Sequence, residues 1–316
     1  TVRVCLRRST TLITTEVSAS SYLSERRKPL FMRYEGRERS RNIDDRRGKN
    51  MKRVGGGIGI GTILLVIGAI IFGGDPGQVL SGVQQQQSQT NGQAAPYQGT
   101  ELEEELEELV AVTLRETEIV WQDIFRTQLG RNYEPATLVL FTRTDRSACG
   151  YAKSATGPFY CPADKNIYID LSFYDELRKK FNASGDFAMA YVVAHEVAHH
   201  IQNLLGIIRQ VDAQRGRLPE AEMNDLNVRL ELQADFLAGV WAHHAHKRSN
   251  ILERGDIEEA MNAAAAIGDD RIQMRTRGYV VPETFTHGTS EQRMTWLRKG
   301  LTTGDINQGD TFSGPI

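Results

Sequence analysis

The hydrophobic pattern divides the chain into an unbroken apolar run, a polar low-complexity stretch, and a long segment of mixed helical and strand periodicity. The run covers residues 54–74, VGGGIGIGTILLVIGAIIFGG, with no charge over 21 positions. A helix needs roughly 20 such residues to cross a bilayer, and glycine is tolerated in membrane helices. The other reading is a buried core helix. Residues 75–100 are rich in Gly, Gln, Ser and Pro; they bury little apolar surface and are expected to be a flexible linker. From there the periods alternate. Leu102, Leu106, Leu109, Val110, Leu114, Trp121, Ile124 and Phe125 recur at helical spacing across residues 101–129. Residues 136–142 (ATLVLFT) and 166–173 (NIYIDLSF) have strand character. Further helices are expected over 175–181, 186–205, 219–247, 256–267 and 290–301, with Pro219 suited to a first turn. These elements predict an α+β fold, a mostly helical domain over 101–302 with a small β-sheet, one transmembrane helix before it and a tail over 303–316.

Charge sharpens the topology. The net charge is −2, yet residues 1–53 hold 15 Lys/Arg against 6 Asp/Glu, a balance of +9 that leaves −11 for the rest. Arg46, Arg47, Lys49, Lys52 and Arg53 precede the apolar run and only Asp75 closely follows it. The positive-inside rule then puts a basic segment, 32–53, in the cytoplasm, and the domain in the periplasm or outside the cell. Residues 1–31 precede Met32, which opens MRYEGRERSRN like a natural start; they are expected to be an upstream extension. Arg33, Arg37, Arg39 and Arg41 are interleaved with acids, so anionic lipid headgroups suit them better than nucleic acid. Of three cysteines, Cys149 and Cys161 flank one loop, and outside the cytoplasm they could form a disulfide.

The chemistry lies in 186–205, which contains His195, Glu196 and His199 as H-E-x-x-H. Residues four apart share a helix face, so two imidazoles can bind one zinc ion while Glu196, rotated about 100° from His195, serves as general base. A solvated or hydrogen-bonded histidine pair is the bland alternative. The rest of the helix is apolar, however, and buried polar groups need partners. A catalytic zinc takes a third protein ligand, for which Glu231 in RLELQAD is the candidate. Asp235, one turn on, would accept the free ring N–H of a ligand histidine and fix its tautomer. His243, His244 and His246 cluster near a helix end, where the dipole accounts for them; His200 is a neighbour. His287, in THGTSEQR, could donate to the oxyanion of a tetrahedral intermediate, and Arg293 could hold that loop.

Several separated motifs in this order resemble the bacterial neutral zinc metallopeptidase family of single-span membrane proteins: MRYEGR at 32–37, DDRRG at 44–48, SACG at 147–150, GPFYCP at 157–162, HEVAHH at 195–200, ELQAD at 231–235 and THGTSEQR at 286–293. The resemblance implies a gluzincin-like site with one zinc per chain on His195, His199 and Glu231, and Glu196 as base. Phe236 departs from the cysteine expected in many relatives, at a position that is not a ligand. The implied function is a membrane-anchored metallopeptidase acting on a protein or peptide, with residues 168–173 as an edge strand along which substrate pairs. A membrane-tethered scaffold with a structural zinc is the rival, and Glu196 argues against it because a structural site needs no base. Substrate identity and oligomeric state are not legible.

Overall fold

The computed structural model describes residues 32–48, 99–183 and 185–316. The expected membrane span and most of the expected linker lie outside them. Among the described residues no helix is long and apolar enough to cross a membrane.

Helix α1, Glu101–Thr127, opens with a capping box: the Thr100 hydroxyl accepts from the Glu103 N–H, and the Glu103 carboxylate accepts from the Thr100 N–H. Its apolar face, including Leu109, Val110, Trp121 and Phe125, is buried. A four-stranded sheet follows, in the order β1 (Ile43–Asp45), β2 (Thr137–Phe141), β6 (Asn166–Asp170), β5 (Phe159–Cys161). β2 runs parallel to β1 and to β6, and β5 is antiparallel to β6. Side chains alternate across a strand. Leu138, Leu140, Ile167 and Ile169 therefore join the helical core, while Val139, Phe141 and Tyr168 meet Ala152 and Cys161 on the other face. There a hairpin of β3 (Thr144–Ser147) and β4 (Gly150–Lys153) lies over the sheet, and a Cys149–Cys161 disulfide ties its turn to β5.

The helical layer contains α2 (Phe173–Lys179), α3 (Asp186–Leu204), α4 (Ile207–Asp212), α5 (Glu220–Ser249), α6 (Asp256–Ala266), α7 (Asp269–Arg277) and α8 (Ser290–Thr303). α3 is buried along almost its whole length, as expected of a helix carrying polar groups in an apolar frame. α5 and α8 cross backbone to backbone. A Cβ on Gly239 would lie 2.2 Å from the Leu297 carbonyl oxygen, and one on Gly300 2.0 Å from that of Phe236. This close crossing brings Arg293 over α5. Phe236 is fully buried and packs edge-on against Trp296.

Three expectations need correction. First, residues 32–48 do not stand apart from the domain. Ile43, Asp44 and Asp45 pair with Leu138, Val139 and Leu140, the Ser40 hydroxyl donates to Glu118 Oε1 at 2.5 Å, and Met32 is buried. Of the arginines assigned to lipid, Arg33, Arg37 and Arg39 meet the domain acids Glu253, Glu116 and Glu107 instead; Arg46 and Arg47 likewise meet Asp145 and Glu107. Residues 32–48 are thus bound to the domain by ion pairs. Second, β6 is interior, between β2 and β5, so 168–173 is not an edge. The edge on that side is β5, with β1 at the other edge; the sequence presents β5 as loop because Gly157, Pro158 and Pro162 frame it. Third, the C-terminal tail over 303–316 is not separate from the domain but is held against it. The Arg229 guanidinium donates to the Thr311 and Gly314 carbonyls at 2.6 and 3.0 Å, and Gln233 to the Gly309 carbonyl at 2.9 Å.

Candidate metal centre and active site

α3 and α5 place five side chains predicted from sequence around one point. His195 Nε2 lies 3.1 Å from Glu231 Oε2, and His199 Nε2 lies 3.5 Å from Glu231 Oε1. A ligand atom from each of the three lies within 4.8 Å of the others. The remaining ring nitrogens are occupied. His195 Nδ1 donates to Asp235 Oδ1 at 2.9 Å. His199 Nδ1 is 2.9 Å from Gln202 Oε1, an acceptor only, while the Gln202 amide donates to the Leu230 carbonyl and to Gln233. Both rings are therefore held by Nδ1 with Nε2 turned toward Glu231, the orientation from which Nε2 would ligate a metal once its proton is displaced. The donor set of two imidazoles and one carboxylate suits zinc in a site that keeps an open position.

Electrostatics agree with this arrangement. Burial would raise the Glu231 pKa, but the His199 and His195 imidazoles override it and hold the carboxyl well below its usual range. Burial likewise opposes the charged form of His195, and its bonds to Asp235 and Glu231 reverse that, pushing it up to about 10. The cluster thus attracts positive charge, and a metal would displace protons on binding. Burial raises Glu196, with the two histidines pulling the other way, the direction that suits a base near neutral pH.

Asp235 is more than a partner of His195. It is fully buried and accepts from the Tyr191 hydroxyl at 2.5 Å and from Arg293 Nε and Nη2 at 2.8 and 2.9 Å. Arg293 outweighs the burial cost and holds Asp235 at about 2. Arg293 thus anchors the aspartate of the site, beyond the loop-holding role expected of it. Tyr191 was not singled out, although its position one turn before His195 put it on the same helix face.

His287 is exposed at the rim of the same cavity, which has a volume of about 530 Å³ and is also lined by Tyr160, His195, Glu196, His199 and Glu231. Its backbone N–H donates to Asp269 Oδ2 at 2.6 Å, and its ring lies 3.0 Å from the Thr286 hydroxyl. Partial desolvation by the cavity wall would lower its pKa, but the Asp269 carboxylate, 3.4 Å from its Nδ1, and Glu231 raise it. The other histidines are structural. His200 lies 3.0 Å from the Tyr160 hydroxyl and 2.6 Å from the Glu134 carbonyl. His243 and His244 reach the Leu301 and Gly304 carbonyls, and His246 Nδ1 accepts the Leu252 N–H.

Comparison with known families gives a match over residues 32–312 to the family described as putative neutral zinc metallopeptidase. The chain belongs to that family. Its relatives include the uncharacterized protein YpfJ of Escherichia coli strain K12, 43% identical over 294 residues, covering 90% of this chain and all of the relative. The uncharacterized protein Rv2575 of Mycobacterium tuberculosis strain H37Rv is 41% identical over 262 residues, covering 78% of this chain and 85% of the relative. No solved structure matches.

Proposed function

We propose that the protein is a zinc-dependent peptidase that hydrolyses peptide bonds in the α3–α5 cavity. The observation that carries this reading is the convergence of His195, His199 and Glu231 with both free ring nitrogens locked onto acceptors, beside a buried carboxylate, Glu196, that no ligand role explains. Bound zinc would supply Lewis acidity and bring the pKa of a water toward 7. Glu196 accepts the proton of the attacking water and returns it to the leaving amine. Asp235, fixed by Arg293 and Tyr191, keeps His195 in its ligating tautomer. His287, with its pKa raised at the rim, donates to the developing oxyanion. An extended peptide pairs along the edge strand β5, whose Phe159 and Tyr160 line the cavity.

Residues 54–74 remain the candidate membrane anchor. The pairing of β1 with β2 favours an anchor that leaves residues 32–48 and the domain on one face of the bilayer, in place of a single crossing between them.

Metal content and cleavage of casein or a peptide library, measured together on wild type and Glu196→Gln, test the reading. One zinc in each, with cleavage reduced about 10²–10⁴-fold in the variant, is expected. Zinc in both with equal, undetectable cleavage would favour a structural metal in a scaffold, and no zinc in either would end the proposal.

A further inference from the structure

A second acidic cluster sits at the N-terminal end of α3. Asp186 and Asp256 are the first residues of α3 and α6, and Glu259 is one turn into α6; an oxygen of each lies within 4.8 Å of the others. Asp256 is fully buried and Asp186 is 4% exposed. Asp186 Oδ2 and Asp256 Oδ1 have no hydrogen-bond partner, and among the described residues no Lys, Arg or His is ion-paired with the three. Gly185 makes room for this: at φ +126°, a Cβ on it would strike the Glu259 carboxylate at 1.9 Å. Burial, reinforced by the neighbouring acids, pushes Asp186 to about 7 and Glu259 to about 7; burial, against a backbone N–H, pushes Asp256 to about 6. Buried carboxylates left without a counter-charge or enough donors are costly, so a cation would stabilise the pocket.

The chain places one nitrogen beside this pocket. The backbone N–H of Met32 acts on the Asp186 carboxylate. Met32 is 1% exposed, and its position is pinned by the next residue: the Arg33 N–H donates to the Ile251 carbonyl at 2.9 Å and its guanidinium to Glu253 Oε1 at 3.0 Å. The family match begins at Met32. As an amide, this nitrogen offers one donor and no charge. As an α-ammonium it offers three donors and a positive charge, which answers both unpaired oxygens and the acid surplus. A divalent ion fits less well. Calcium takes six to eight oxygens, whereas here Asp186 Oδ1, Asp256 Oδ2 and Glu259 Oε2 already accept the N–H groups of Phe187, Glu253 and Phe187 respectively.

We propose that the Asp186–Asp256–Glu259 pocket is the seat of the chain's own α-ammonium group, carried by Met32 in the form of the protein that begins there. Seating it fixes the first turn of α3, the helix that nine residues later presents His195. Met32 is a positioning residue in this role, and any residue or acyl cap ahead of it removes the charge that the pocket requires.

The test uses amine acylation by sulfo-N-hydroxysuccinimidyl acetate, read by peptide mass spectrometry, on the chain beginning at Met32. The Met32 amine is expected to react roughly tenfold or more slowly in the folded protein than in denaturant, as for a group exposed only by opening. Asp256→Asn should speed the reaction, and prior acetylation of Met32 should lower the Tm. Should the acetylated chain fail to fold, the acylation rates of wild type and Asp256→Asn still decide. Equal labelling of the folded and denatured chains would overturn the proposal. So would stoichiometric binding of calcium or manganese alone that Asp256→Asn abolishes, since it would give the pocket to a metal. None of these readouts depends on zinc or on peptidase activity, so this proposal and that of the peptidase stand or fall separately.

Discussion

Two carboxylate clusters lie against the same buried helix, α3, and they are balanced in opposite ways. Around His195, the acids Glu231 and Asp235 meet two imidazoles and Arg293, and their pKa values fall despite burial. Around Asp186, three acids meet one another and backbone amides, and their pKa values rise. Burial has the same sign in both, so the neighbours decide. A buried acid held ionised by its own fold belongs to a completed network. One that the fold leaves short of donors marks a place where something must be supplied.

The largest expected effect breaks the balanced cluster. Asp235→Asn leaves Arg293, only 1% exposed, without its counter-charge, and removing one partner of a buried pair costs about 3–5 kcal/mol. Urea denaturation should show that loss, and zinc affinity should fall with it; a change under about 1 kcal/mol would mean that the network is not held by charge. A smaller effect comes from completing that cluster. Zinc at 100 times its Kd should add about 2.7 kcal/mol, and chelation should remove it. A melt indifferent to zinc would leave the imidazoles without a metal role. The smallest effect sharpens the contrast by its sign. Asp256 is raised to about 6, so its charged form costs stability once pH climbs above its ordinary value. In a chain that begins upstream of Met32, Asp256→Asn should therefore stabilise at neutral pH by about 1 kcal/mol, after allowance for screening. In the chain beginning at Met32 the same change should destabilise. Identical signs in the two chains would erase the distinction between the clusters.

What the sequence disclosed follows from how local the signals are. His195, Glu196 and His199 declare themselves within one helical turn, and Glu231 with Asp235 within another. The long helices were legible because their apolar faces repeat over many turns. Arg293 was visible only as part of a motif. Its bond to Asp235 spans 58 positions and depends on two glycines, Gly239 and Gly300, that look unremarkable in a helical pattern. β1 is three residues long with two aspartates in it, and its parallel pairing leaves no turn signature of the kind that betrays a hairpin. The interior place of β6 followed from a strand, β5, hidden between prolines.

The closure of the N-terminal segment onto the domain also sets an order of events. Arg33 bonds Glu253, 220 positions later, and β1 waits for β2 across the whole of α1. Residues 32–48, synthesised early, are thus among the last to find their partners. Contacts this distant in sequence slow folding, and they leave the start of α3 without its α6 neighbours until most of the chain exists. A domain closed in this way completes its first turn of α3 only near the end of its own synthesis.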